Sequence, residues 1–126
     1  MRKISFERAA IDQVDPLNGL PYAVQQKNEA GEIVTVPLPK LGVSFFIRKM
    51  LLSEKAREVF KTYDAFFLVE LALKFPTDMP DGYQVTLLED HWEKLCALLR
   101  SGADVTPQQM AIAYSIIETV LSAEEV

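Results

Sequence analysis

The sequence predicts an α+β fold, mainly helical, in which an N-terminal β-hairpin is followed by about four helices. Three observations carry this expectation. Four of the seven prolines (Pro16, Pro21, Pro37 and Pro39) fall in the first forty residues, which makes a long helix there unfavourable. Within that stretch, β-branched residues flank a turn-prone "NEAG". After Gly42 the punctuation nearly stops until Pro76, and apolar residues recur at helical spacing. At 126 residues the chain fits a single domain, 1–126, with an extended and hairpin region at 1–40 and a helical region at 41–126. A domain near this length buries roughly two thirds of the surface its unfolded chain exposes, so it holds a core without crosslinks.

The elements follow in order. "KISFERA" has strand composition, and "DPLNGLP" reads as a loop. Residues 22–27 and 32–37 form a hairpin, because a connection of about four residues containing Gly suits two short strands. Pro37 ends the second strand or sets it at a sheet edge. Helices are expected over about 42–52 and 54–75, broken at Ser53, whose hydroxyl can accept an unpaired amide hydrogen. The segment from Phe66 to Phe75 is apolar on nearly every side, so its helix is central to the fold or covered by a partner. "PTDMPDG" is a loop. Thr86 and Glu89 then match a capping box that would start a helix in "VTLLEDHWEKL", with Gly102 in place to close it. Thr106, Pro107 and Gln109 match a second box, opening a last helix over about 107–122.

Composition excludes several classes. The net charge is −5 and the basic residues are scattered, with the tightest pairs at Arg2-Lys3 and Arg48-Lys49, so there is no concentrated basic face for nucleic acid. The charged start "MRKISFERAAID" lacks the apolar core of a signal peptide, and the longest apolar runs fall short of the roughly 20 residues a membrane span needs. No nucleic-acid and no membrane partner is expected, and the expected location is cytoplasmic. The single cysteine, Cys96, lies in an apolar run and reads as a buried small hydrophobe.

The chemistry candidates centre on His91, the only histidine, among Glu89, Asp90 and Glu93. A zinc site needs three or four convergent ligands, whereas His91 and Cys96 diverge by about 140° on a helix. The carboxylates have a simpler use in the opening turns of a helix, where its positive end favours negative charge. No Gly-x-Ser-x-Gly, Gly-x-Gly-x-x-Gly or P-loop pattern occurs, so no nucleophile elbow or phosphate cradle can be named. The expectation is therefore no catalytic residue, no cofactor and no metal. The aromatic residues Phe45, Phe46, Phe60, Tyr63, Phe66, Phe67 and Phe75 sit at helical spacing as core does, and those left outside it suit a protein interface.

The layout of "DPLNGLP", "LPKLGVSFFIRKMLL" and "GYQVTLLEDHWEKLCALLRSGADVTPQQMAIAYSIIETVL" resembles small morphogenesis proteins of tailed bacteriophages and prophages. In those a threonine-initiated segment begins a helix and a final helix closes the chain. The resemblance implies a non-enzymatic factor in head or tail assembly, tail-assembly-chaperone-like, acting in the host cytoplasm on phage structural proteins. The function expected is thus a protein-interaction or assembly factor with a protein partner or a second copy of itself. Its interface would be Phe45, Phe46, Phe66, Phe67, or the terminal stripe at Ile117 and Leu121. The alternative is a small-ligand or metal-dependent enzyme centred on His91 and its carboxylates. A transcription-related or toxin-antitoxin partner is a third reading, with the acidic charge set against direct DNA contact.

Overall fold

The computed structural model describes residues 1–15 and 17–126; the loop reading of "DPLNGLP" includes Pro16, which lies outside the described residues. The elements run β1 (Arg2–Phe6), β2 (Ala10–Ile11), β3 (Ala23–Lys27), β4 (Ile33–Pro37), β5 (Leu41–Gly42), α1 (Val43–Leu51), α2 (Glu54–Val59) and α3 (Phe67–Ala72). They continue as β6 (Tyr83–Leu87), α4 (Glu89–Ser101), α5 (Pro107–Leu121) and β7 (Glu124–Glu125). Among the described residues the chain is 39% helix and 22% strand, in five helices and seven strands across three small sheets. The expectation of a mainly helical fold headed by a hairpin is therefore corrected to a mixed α/β fold. Its first element is the central strand of a sheet.

That sheet has the order β6-β1-β7, with β1 antiparallel to both neighbours. Strand β1 alternates: Ile4 and Phe6 are buried while Ser5 is exposed, and across the ladder Val85 and Leu87 point inward while Gln84 and Thr86 point outward. Sequence-local reasoning could not place this pairing, because the two strands come from distant parts of the chain. It also joins the 1–40 region to the 41–126 region through main-chain bonds.

The hairpin predicted at 22–27 and 32–37 is β3 paired with β4, with Val24 opposite Val36. Its turn is closed by Asn28, whose Oδ1 accepts from the Glu32 amide at 2.9 Å, and by Gly31 at φ 78°. Every residue of β3 is exposed, so the hairpin is an arm and not part of the core. Short strands β2 and β5 pair at its base, Ala10 with Gly42 and Ile11 with Leu41.

Helix α1 buries Val43, Phe46, Ile47, Met50 and Leu51, the i, i+3, i+4, i+7, i+8 set of one face, and leaves Phe45 outside. Ser53 breaks the chain as expected, accepting from the Ala56 amide at 3.4 Å and donating to the Met50 carbonyl at 2.7 Å. The helix expected over 54–75 is interrupted. Asp64 Oδ1 accepts from the amides of Phe66 (2.9 Å) and Phe67 (3.0 Å), which restarts the chain as the separate helix α3.

The Thr86 and Glu89 capping box does not form. Thr86 is a strand residue opposite Lys3, and α4 starts after Leu88 without a side-chain cap. Glu89 turns instead to Arg2. Gly102 closes α4 in the left-handed conformation, φ 64°, and the Thr106–Gln109 box opens α5 as expected. The core gathers Ile4 and Phe6 with Ile47, Met50, Phe75, Leu95, Leu99 and Val120, each fully buried apolar side chain contributing about 1.5–3 kcal/mol.

Candidate interaction surface

His91 sits at the start of α4 in an aromatic corner. Its ring meets Tyr63 edge-on (centroids 5.3 Å, 75°) and Phe67 likewise (4.7 Å, 61°), while Tyr63 stacks on Phe67 at 4.3 Å. Burial holds the imidazole below its ordinary pKa, with the Asp90 carboxylate opposing and Lys74 adding to the effect. The Tyr63 hydroxyl donates to Asp90, which also lies 3.9 Å from Lys94 Nζ. That hydrogen bond to Asp90 raises the Tyr63 phenol.

The other carboxylate, Glu89, accepts from Arg2 Nε at 2.9 and 3.1 Å, and this bond holds it below the usual carboxylate range. Arg2 in turn lies 4.3 Å over the Trp92 ring and donates to the Ala123 carbonyl at 3.2 Å, while Trp92 Nε1 donates to the Val120 carbonyl at 2.7 Å. The start of α4 thus joins β1 and the end of α5 through Arg2, Glu89 and Trp92, and α3 through His91. Its carboxylates point to separate partners. Among the described residues no three His, Cys, Asp or Glu side chains converge as a metal site would require. Sequence reasoning missed Arg2, whose place two residues before the buried Ile4 marks it only once β1 is known to be a central strand.

Cys96 is 8% exposed, and burial pushes its thiol up to about 11. Such a thiol is a packed apolar group at neutral pH.

The six expected interface residues fall apart into three groups. Phe46 and Ile117 are core residues, so they cannot meet a partner without unfolding. Phe67 and Leu121 are half-buried against the core, Phe67 within the His91 corner. Phe45 (63% exposed) and Phe66 (76%) are outside. Two residues the sequence did not single out join Phe66: Val69 at 46% and Leu73 at 63%. These three stand at i, i+3 and i+7 along α3 and its helical flanks, so they share one outward stripe. Leu68, Leu71, Ala72 and Phe75 of the same segment are buried. The signal was the all-round apolar character of 66–75, which marks a segment with more apolar surface than one core contact can take up.

Among the described residues no helix is long and apolar enough to cross a membrane. No family model matches the chain, and no curated protein or solved structure matches it.

Proposed function

We propose that this chain is a non-enzymatic protein-interaction or assembly factor that works by laying the α3 stripe against an apolar surface of a protein partner or of a second copy. The observation that carries the reading is the stripe itself: Phe66, Val69 and Leu73, adjacent on one helix face and uncovered by the rest of the chain. Single exposed apolar residues are ordinary, but an aligned set marks an interaction site far more often. Removing such side chains from water is worth about 1.5–3 kcal/mol each, enough to matter to an association once its entropic costs are met. The narrower role, in head or tail morphogenesis within a host cytoplasm, rests on the layout resemblance and would be settled by the genes that neighbour this one. No comparable observation favours an enzyme centred on His91, whose ring is packed on aromatic edges.

The test is solution mass across a concentration series, alone and mixed with neighbouring gene products. A heavier species that grows with concentration or with one partner is expected. A strictly monomeric chain that binds none of them contradicts the proposal.

A further inference from the structure

The sheet is left incomplete along one edge of β1. Met1 exchanges main-chain bonds with Val126 (2.9 and 3.3 Å) and Lys3 stands opposite Glu124, so odd-numbered residues of β1 turn their amides towards β7. On the other side the Phe6 carbonyl accepts from the Gly82 amide at 2.8 Å, as even-numbered residues should. Strand β7 begins only at Glu124. Ser5, exposed and next in the odd series, therefore presents its N–H and C=O to a side where, among the described residues, no strand lies.

Beside that edge runs an open groove of about 540 Å³ between β1 and α5, within the range of ligand sites. Phe6, Val43 and Ile116 contribute to its apolar lining, and Ser115 and Thr119 of α5 line it together with Ser122 just after that helix. Its charges are Lys3, Arg8, Glu7, Glu118 and Glu124. Lys3 and Glu124 answer each other at 3.6 Å, which leaves Glu7 and Glu118 against Arg8 on a chain of net charge −5.

We infer that this groove takes an extended, positively charged peptide segment of a protein partner, which adds to the sheet as a strand beside Ser5. Main-chain bonds to Ser5 would set its direction, and the carboxylates of Glu7 and Glu118, the latter hydrogen-bonded to Tyr114 and still in excess over Arg8, would select its charge. The inference rests on the reading of the chain as a protein-interaction factor but uses a different face from the α3 stripe. A second copy is the wrong occupant: pairing β1 with β1 about Ser5 would set one Glu7 beside Lys3, where Glu124 already lies.

The full chain, nitrogen-15 labelled, is titrated with a blocked peptide of alternating lysine and valine and with its glutamate-valine counterpart. The lysine peptide should shift the amides of Ser5 and of residues 115–122 saturably and slow exchange at Ser5, with the glutamate peptide about tenfold weaker. Ser5→Pro, which removes one donor at an edge where proline is tolerated, should weaken binding about tenfold. Should that variant fold poorly, the lysine peptide methylated on alternate amides must show the same loss against the unaltered chain. Equal response to both peptides, no shift at Ser5, or shifts confined to Gln84 and Thr86 on the outer edge of β6 would overturn the inference. Mass growth through the α3 stripe with a silent groove would overturn it alone and leave the interaction reading standing.

Discussion

The His91 ring lies against Tyr63 and Phe67 at the head of α4, where burial disfavours its charged form. Its pKa in the fold lies below the ordinary 6.5, chiefly through burial, so the unfolded chain takes up a proton at higher pH than the folded one. The stability this ring contributes is therefore present above about 6.5 and is lost as pH falls from there through the lowered folded value. Denaturant melts between neutrality and the carboxylate range should show that loss in the wild type, while His91→Gln should lack it. Parallel curves for the two chains would remove His91 from the account. Part of the residue scale was legible: Cys96 in "KLCALL" reads as buried, and it is. Arg2 was not, since its three roles, to Glu89, Trp92 and Ala123, depend on contacts with residues far from it in sequence.

At the scale of elements, the two capping boxes separate local information from tertiary override. Thr106 and Gln109 follow a loop and face no competing strand, so the box forms and Pro107 takes its place in the first turn. Thr86 and Glu89 have the same spacing, but Thr86 lies in "YQVTL", whose period-2 alternation lets β1 claim it as a strand. Thr106→Val, which keeps shape and loses the hydroxyl, should cost about 1 kcal/mol in urea unfolding. Thr86→Val should stay within about 0.5 kcal/mol of wild type, because an exposed strand position accepts valine as readily as threonine. Equal losses would mean that Thr86 caps α4 after all. The break at Asp64 was readable in principle, since an aspartate two and three residues before Phe66 and Phe67 can take both amides. The largely apolar segment beyond it masked the signal.

Across the whole molecule, the strands at the two ends of the chain determine what the sequence could not show. Strand β1 needs β6 and β7, neither of which is near it in sequence, so the helical segments were legible from their period while the sheet that ties them together was not. The exposed arm β3–β4 and the α3 stripe stand outside the core that results. Of the two, the stripe is the one where adjacent apolar side chains share a helix face, and the proposed function depends on it. The direct test is sedimentation of the wild type against Phe66→Asp over a common concentration range, with thermal unfolding measured alongside. The variant should melt with the wild type, because Phe66 is 76% exposed, and should lose the heavier species the wild type forms alone or with its partner. A variant that associates as the wild type does would contradict the assignment of α3 as the docking surface.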